Sequence, residues 1–460
     1  MKKHASSLSR RQFLRLAGLS AAGSLFAACG LQNPQPDPQN SGPVQLVYQD
    51  WRTEWFPALA QEMLAQFNDA HPGIRVFYTP DPENLEEKMV ADMEAGTASD
   101  IITGCCEFFQ SWADAGYLLD LRPFVEADLS RETIEDWNPA QYQALFTREG
   151  KQYALPKYHG ALALYYNKDL FDAAGVDYPG ENWSYNDYLE AMQRLTLREG
   201  GVTTQWGSMF DVTWDRIQIH VNSFGGHFVD PDDARRCAMG SPEALEAMEW
   251  LRARIWDDGV MPTFLDVQNM ETREAFIAGK IAMVEDGSWA LKDILENAAF
   301  RVGVAPFPAG PKGRATLATT DGYAIYANTR HPEEAWEFLK FLVGKDYGRA
   351  MAKAHFLQPA RASLVPEWVD FIRAEYPEKS KEVDIAAFAH GQTHGYSVTA
   401  ESFPNMVGVV NIAQEAWDSI YTLGNTPVTE MKEVCQKIET IQQGSAQGVE
   451  PIPCDCEARG

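Results

Sequence analysis

The chain has 460 residues, of which 45% are apolar and 23% are charged. This composition is ordinary for a folded globular protein, and the length is enough for two or more domains. The formal net charge of -26 at pH 7 argues against nucleic acid as a partner, because the phosphate backbone would be repelled. Aromatic residues make up 12% of the chain. Because aromatic side chains mostly pack in hydrophobic cores, this content is only weak evidence for a site whose rings stack on a ligand.

Residues 1–28 have the features of an export signal. The basic residues are Lys2, Lys3, Arg10, Arg11 and Arg15. An apolar stretch rich in small residues follows at 16–28, and it is too short to span a bilayer. Within the signal, SRRQFL at 9–14 is similar to a twin-arginine signal, which implies export of the folded protein.

The signal ends in FAACG at 26–30, which resembles a bacterial lipobox. Cys29 would then carry the lipid, although Phe26 stands where Leu is usual. An ordinary buried helix is the alternative, but it gives no reason for the arginine pair. Residues 29–43 are expected to form a tether, since 31–43 are polar and proline-rich. The sequence therefore predicts a lipid-anchored protein on the outer face of the cytoplasmic membrane.

Six more cysteines follow the lipobox. They are Cys105, Cys106, Cys237, Cys435, Cys454 and Cys456. An oxidising exterior permits disulfides, and six cysteines allow 15 pairings that the sequence cannot resolve. The adjacent Cys105 and Cys106 are expected not to bond to each other, because that geometry is strained. The tail at 444–460 could be fixed to the body by one of its two cysteines. A metal site is the alternative, but the chain has no CxxC, and no cofactor or metal is expected.

The first elements of the body alternate between strand and helix. Strands are predicted at 44–49, 74–79 and 100–103, and helices at 58–70 and 85–95. The order β-α-β-α-β predicts a doubly wound, parallel sheet. Ligands of such sheets lie outside the carboxyl ends of the strands. The loops at 50–57 and 104–112 are therefore the first places to look for a site.

A second run of alternating elements begins near residue 150. Strands are predicted at 162–167 and 281–284, and helices at 168–174, 185–199, 241–256, 272–278 and 332–343. No internal repeat of fixed period is present. The length and the interrupted order favour two lobes, each built on its own sheet.

Several segments resemble the extracellular solute-binding proteins of family 1, which serve sugar ABC importers. The stretch at 150–192 is similar to the family pattern GK-x-YGLP, YYNKDLF-x-x-AG and P-x-TW, with Ala154 for Gly and Asn182-Trp183-Ser184 for Thr-Trp. Further matches are MVEDGSW at 283–289, VAPFPAG at 304–310, and Asp321-Gly322-Tyr323 followed by HPEEAWEFLKFL. These matches occur in the family's order over most of residues 44–443.

The resemblance implies an α/β clamp of the periplasmic-binding-protein type (type II). Each of its two lobes would carry a parallel-dominated sheet flanked by helices. The first lobe is expected at 44–154 and 316–366, and the second at 155–315 and 367–443. Ligand would bind in the cleft between them, and hinge bending would close the lobes around it. The implied partners are a small solute and the membrane subunits of an ABC permease, and the protein is expected to be a monomer without catalytic activity.

A sugar offers apolar C–H faces and a ring of hydroxyls, so its site needs aromatic surfaces with carboxylates or amides. The resemblance places such residues in the cleft loops, and glycines there allow close approach of the backbone. The candidate ligand-binding residues are Trp51, Glu107, Phe108, Tyr158, Trp214, Asp215, Asn222, Gly225, Gly226, Asp286, Trp289, Asp321, Gly322, Tyr323 and Tyr396. For each of these residues the alternative to ligand contact is a structural role in the core, at the rim of the cleft or in a solvent-exposed turn.

Three other functions are less consistent with the sequence. A secreted carbohydrate-active enzyme would need two carboxylates across a bond, and the chain has no GxSxG, HExxH or Walker motif. The pair His390 and His394 could hold zinc on a helix, but Gly391 and Gly395 weaken that helix and no Glu base adjoins it. A glycerol phosphate or polyamine is the alternative solute, and the acidic body disfavours an anion unless Arg52, Arg216 or Arg361 faces the cleft.

Overall fold

The computed structural model describes residues 42–83 and 85–446. The body from Pro43 onwards is one compact unit. Its strands are β1 (Val44–Asp50), β2 (Ile74–Pro80), β3 (Ile101–Gly104), β4 (Leu155–Pro156), β5 (Leu162–Asn167), β6 (Leu197–Glu199), β7 (Val202–Met209), β8 (Ile281–Gly287), β9 (Val302–Ala305), β10 (Thr316–Leu317), β11 (Gly322–Ile325) and β12 (Ser397–Val398).

Helices surround these strands along the whole body. They are α1 (Phe56–Ala70), α2 (Leu85–Glu94), α3 (Cys106–Asp114), α4 (Arg122–Asp128), α5 (Arg131–Glu135), α6 (Pro139–Ala144), α7 (Lys168–Ala174), α8 (Tyr185–Leu195), α9 (Trp214–Ser223), α10 (Pro242–Trp256), α11 (Thr272–Ile277), α12 (Leu291–Asn297), α13 (Pro332–Leu342), α14 (Lys345–His355), α15 (Val365–Glu375), α16 (His390–Thr393), α17 (Val409–Trp417) and α18 (Met431–Ala446). None of the helices within the described residues is both long and apolar enough to cross a membrane.

The strands form two five-stranded sheets and one short pair. The first sheet has the order β2-β1-β3-β11-β4, and the second has the order β6-β7-β8-β5-β9. In the first sheet, β1 is parallel to β2 and β3, whereas β11 is antiparallel to both of its neighbours. In the second, β7 and β8 are parallel, and β5 is antiparallel to β8 and β9. The strands β10 and β12 form the separate pair.

The expected α/β architecture is confirmed. Most strands of each sheet run in one direction, but both sheets are mixed, because some neighbouring strands are antiparallel. Each sheet receives one strand just after the chain crosses from the other sheet, β11 in the first and β5 in the second. That strand enters in the opposite direction and inserts between two others. The ladders on both sides of it are therefore antiparallel. A correction concerns 185–199, where the helix ends at Leu195 and Leu197–Glu199 pairs with β7 in a hairpin.

Local sequence explains why the main elements begin and end where they do. Helix α1 has Pro57 in its first turn and buries Phe56, Ala60, Met63, Leu64 and Phe67 along one face, as a helical period requires. Helix α8 begins at a capping box in which Ser184 and Asp187 satisfy each other's backbone N–H groups. Helix α7 ends at Gly175, which has the left-handed conformation common at helix ends.

Three chain segments cross side by side between the two sheets, at 157–161, 318–321 and 357–360. The backbone N–H of Thr319 donates to the carbonyl of Gly160 at 2.8 Å, and that of His159 donates to the carbonyl of Gln358 at 2.8 Å. The amide of Gln141 donates to the carbonyl of Tyr158 at 2.6 Å. Strand β4, which directly precedes the first crossing segment, pairs with β11 in the first sheet.

Two disulfides lie within the described part of the chain. Cys237 is bonded to Cys435, and Cys105 is bonded to its neighbour Cys106. The prediction that the vicinal pair does not bond to itself is therefore wrong. In this bonded pair Cys106 has the left-handed backbone conformation, with a φ of 62°. Cys29, Cys454 and Cys456, like the signal, most of the tether and the end of the tail, lie outside the described residues.

Candidate ligand-binding cavity

A cavity of about 330 Å³ opens where the two predicted loops and the crossing segments meet. This size is at the lower end of the range of about 300–1,000 Å³ that is typical of small-molecule sites. Its lining comes from elements attached to both large sheets. The lining residues are Trp51, Thr53, Trp55, Cys105, Cys106, Tyr158, Asp215, Arg273, Trp289, Leu317, Thr319, Thr320, Asp321, His355, Leu357 and Ala400.

Aromatic side chains form much of the wall. The Trp51 ring packs edge-on against Tyr158, with ring centroids 5.3 Å apart. Trp55 stacks on His355, with centroids 4.7 Å apart and planes within 10° of parallel. Because each ring is held by another ring, these surfaces are positioned before a ligand arrives. Rigid aromatic faces of this kind suit the apolar face of a sugar ring.

Beneath Trp51 lies an ion pair between Asp50 and Lys157, whose side chains are both fully buried. The Asp50 carboxylate also accepts hydrogen bonds from Thr103 at 3.0 Å and from the Trp51 backbone N–H at 2.7 Å. The Lys157 ammonium lies 3.1 Å from the centroid of the Trp51 ring, a cation–π contact in a dry environment. The pair therefore anchors Trp51 from below, through both its backbone and its ring.

Asp321 is a buried acid that faces the cavity from the second crossing segment, 318–321. Burial raises its pKa to about 6, while the nearby Lys157 ammonium acts in the opposite direction. Burial lowers the pKa of Lys157, and the charge of Asp50 opposes that shift. Around neutral pH Asp321 is mostly a carboxylate, which accepts hydrogen bonds from hydroxyl groups.

Trp289 enters the cavity from the second sheet, directly after β8. Its ring lies against two glycines, because a Cβ on Gly160 would be 2.8 Å from the ring and a Cβ on Gly287 would be 2.3 Å from it. Contacts below 3.0 Å are not tolerated by packed atoms. The glycines therefore let the indole lie flat on the backbone, and they explain the Gly-Ser-Trp sequence at this place.

On the side of the second sheet, charged residues lie in the wall and directly behind it. Arg273 makes a bidentate pair with Asp286, at 2.7 and 3.2 Å. Arg216 pairs with Asp215 at 2.5 Å and lies 5.8 Å from the centroid of the Trp289 ring. Burial lowers the pKa of the Arg273 guanidinium, but Asp286, together with other nearby groups that include Asp293, opposes burial, and the net shift is upward. Arg273 thus stays charged and offers donors at the edge of the cavity.

Of the candidate residues from the sequence, Trp51, Tyr158, Asp215, Trp289 and Asp321 line this cavity. Their contact with a ligand stays a prediction. Asp286 lies just behind the wall, where it holds Arg273. Gly322 follows Asp321 in β11, where a Cβ would lie 3.0 Å from that of Ala154. These two residues support the wall without lining it.

The other candidates lie in packed regions. Trp214 is buried in the main hydrophobic cluster of the second sheet, and Phe108 packs against the same cluster. Tyr323 is buried in the cluster of the first sheet, and Glu107 is buried in helix α3. The Trp214 indole donates to the carbonyl of Glu401 at 3.0 Å, and Asn222 donates to the Glu401 carboxylate at 2.9 Å. Gly225 and Gly226 allow close approach of Lys312 and Ala244, and Tyr396 bonds to His390 at 2.5 Å.

Sequence reasoning missed several lining residues. Four of them lie in the two loops that were predicted to face the site, and these are Thr53, Trp55, Cys105 and Cys106. The residue types within those loops could therefore have identified them. Arg273 and His355 come from helices far along the chain, and Leu357 comes from the third crossing segment. Nothing in the local sequence marks these three residues. Within the described residues no group of three or more His, Cys, Asp or Glu side chains could hold a metal ion. His390 and His394 stack on each other, with centroids 3.7 Å apart.

Comparison with known proteins places this geometry in a family. A relative in Brucella abortus, named only as a binding protein, is 26% identical over 431 residues, which are 92% of this chain and 98% of that protein. An arabinooligosaccharide-binding protein of Bacillus subtilis is 23% identical over 337 residues, 70% of this chain and 73% of that protein.

Among solved structures, an ABC substrate-binding protein from Listeria monocytogenes in complex with cycloalternan superposes with a TM-score of 0.74 at 23% identity. The match covers 88% of this chain and 99% of that one, and it shows the two-lobed clamp fold. The sequence model of the bacterial extracellular solute-binding proteins matches residues 50–349, more than half of the chain. The protein therefore belongs to the bacterial extracellular solute-binding protein family.

Proposed function

We propose that this protein captures a sugar or oligosaccharide in the cavity between its two lobes and delivers it to the permease of an ABC importer. The observation that carries the proposal is the combination of partly exposed Trp51, Trp55 and Trp289 with the carboxylates of Asp215 and Asp321 in one cavity. Indoles pack on the C–H faces of a sugar, and carboxylates accept its hydroxyl hydrogens. The arabinooligosaccharide and cycloalternan named for two similar proteins belong to the same chemical class.

Capture in this proposal is stoichiometric and involves no chemistry. The two lobes are proposed at 44–154 with 316–366 and at 155–315 with 367–443. The three crossing segments act as the hinge, and ligand stabilises the closed form because it contacts side chains from both lobes at once. Asp215 and Asp321 both line the cavity, so hydrolysis is tested directly: purified protein incubated with an oligosaccharide should leave its chain length unchanged.

The proposal includes export of the protein and its attachment to the membrane. Residues 1–28 would direct export through the twin-arginine route, and Cys29 would carry the lipid that holds the monomer at the outer face of the cytoplasmic membrane. These residues lie outside the described part of the chain, and their sequence supports the proposal. Conservative replacement of Arg10 and Arg11 by Lys should keep the protein in the cytoplasm, as measured by cell fractionation.

The main experiment is a ligand screen on mature protein that lacks residues 1–29. Ligand that binds only the folded state raises the melting temperature, so malto-, manno- and arabino-oligosaccharides are compared with glycerol phosphates and polyamines. Hits are measured by calorimetry in the wild type and in Trp289→Ala. Loss of one stacking face should weaken binding by about 10- to 100-fold, equivalent to about 1.4–3 kcal/mol.

Trp256→Ala is the matched control, because this indole is 40% exposed and lies outside the cavity lining. It should leave the affinity unchanged. A rise in melting temperature only with a phosphate ester or a polyamine would be consistent with a solute-binding clamp but would refute a sugar as its ligand. Equal affinity of the wild type and Trp289→Ala would show that the ligand does not bind in this cavity.

A further inference from the structure

The vicinal disulfide is part of the cavity wall. Cys105 is partly buried and Cys106 is exposed, and both residues line the cavity beside the tryptophans. A disulfide has neither a strong donor nor a strong acceptor, and its sulfurs are polarisable. In the first sheet's half of the wall, it therefore presents an apolar surface that requires no hydrogen bond from a ligand.

The strand before the disulfide fixes where that surface lies. Gly104 ends β3, and a Cβ at this position would be 2.2 Å from the Phe109 ring, so the chain turns closely over Phe109. Gly104 also pairs with Gly322 in the antiparallel ladder. The ladder ends at this pair, and the next residue on each chain segment, Cys105 and Asp321, lines the cavity. The cavity wall therefore contains both an apolar surface and a carboxylate at this end of the first sheet.

The backbone at the disulfide has a conformation that the bond maintains. Cys106 is one of four non-glycine residues with positive φ within the described chain, a conformation that costs free energy for a residue with a Cβ. It begins α3, and Cys105 caps this helix without a side-chain hydrogen bond. The covalent bond keeps both side chains turned to the same side, towards the cavity.

We propose that the Cys105–Cys106 disulfide is a ligand-contact surface, which packs against the C–H face of a sugar ring while the Asp321 carboxylate in the same wall bonds the hydroxyls at the ring's edge. This inference rests on the proposed function and deepens it, because it makes affinity depend on an intact bond. A dithiol such as dithiothreitol would supply two electrons and two protons, break the Sγ–Sγ bond to give two thiols, and itself become a cyclic disulfide. The freed Cys106 could then leave the left-handed conformation, and the surface would be lost.

The test compares two double variants by calorimetry with maltotriose, mannotriose and arabinotriose. Cys105→Ser/Cys106→Ser should bind the sugar that the wild type prefers about tenfold more weakly, which corresponds to about 1.4 kcal/mol. Cys237→Ser/Cys435→Ser is the matched control, because it removes the other disulfide of the described chain away from the cavity lining. It should keep the wild-type affinity.

A second measurement avoids dependence on how well the first variant folds. In a background with Cys237→Ser, Cys435→Ser, Cys454→Ser and Cys456→Ser, the vicinal bond is the only one that dithiothreitol can reduce after removal of residues 1–29. Reduction should lower affinity about tenfold, and reoxidation should restore it. Circular dichroism before and after reduction checks that the fold persists.

The outcomes separate the two proposals. Sugar binding that is equal in the reduced and oxidised forms would overturn the role of the disulfide and leave the proposed function standing. Failure of the wild type to bind any of the sugars would overturn the proposed function, and the disulfide contact with it. A tenfold loss in the Cys105→Ser/Cys106→Ser variant alone, with the control unchanged, would support both.

Discussion

The buried pair beneath Trp51 provides the sharpest test of how the cavity is held together. In Lys157→Met the ammonium is lost and a side chain of similar length remains, so the fully buried Asp50 carboxylate loses its counter-charge. Removing one partner of a buried ion pair costs about 3–5 kcal/mol of the free energy of unfolding. Asp50 retains hydrogen bonds from Thr103 and the Trp51 backbone, which favours the lower half of that range.

The expected change in melting temperature follows from the size of the body. Unfolding entropy is about 2.1 cal/mol/K per residue, so about 400 folded residues give roughly 0.8 kcal/mol/K, and a loss of 3–5 kcal/mol lowers the melting temperature by about 4–6 °C. The free energy is measured by urea unfolding followed by circular dichroism and by tryptophan fluorescence. The two probes must coincide for a two-state treatment.

The double variant Asp50→Asn/Lys157→Met decides whether the two charges act together. Without either charge the site needs no counter-charge, so the double variant should be at least about 2 kcal/mol more stable than the sum of the single losses predicts. Simple additivity of the two losses would refute the reasoning. Because the Lys157 ammonium is 3.1 Å from the Trp51 centroid, Lys157→Met should also weaken sugar binding.

Two further predictions concern the cavity wall and the first crossing segment. In Gly287→Ala the new methyl group overlaps the Trp289 ring, so sugar affinity should fall about tenfold. Gly180→Ala is the control, because a Cβ at this position meets open space, and it should bind sugar as the wild type does. Equal affinities of the two variants would show that the position of the Trp289 ring does not matter for binding. Burial lowers the pKa of His159, in the first crossing segment, from 6.5 to about 4. As the pH falls from 6.5 to 4 the unfolded chain therefore binds a proton before the folded chain does, and the free energy of unfolding falls by about 1.4 kcal/mol per pH unit. Urea unfolding of His159→Gln should show a flatter pH dependence in that window, and an unchanged slope would contradict the assignment.

The sequence predicted the fold class and two of the loops that line the candidate cavity. The order of the first elements located the loops at 50–57 and 104–112, and both line the cavity through Trp51, Trp55, Cys105 and Cys106. This works because carboxyl ends of parallel strands meet at one edge of a sheet. Individual side chains were harder to assign. Trp214 and Asp215 are adjacent, yet only Asp215 lines the cavity.

The reason is geometrical. Neighbouring residues on a helix point about 100° apart, so Trp214 enters the core while Asp215 faces outwards. Tyr323 lies within β11, where it is fully buried and packs in the hydrophobic cluster of the first sheet. Which side of a helix or strand meets the cleft depends on tertiary packing, and periodicity alone leaves two or three choices. Arg273 and His355 depend entirely on such packing.

The insertion of β11 between β3 and β4 has a consequence for biosynthesis. A ribosome delivers β1 to β4 long before residues 322–325 exist, so the nascent chain holds β3 with an open edge over more than 160 residues of synthesis. Open edges invite pairing with other chains. The first sheet can close only when most of the polypeptide has emerged, and premature termination upstream of β11 should yield products that aggregate.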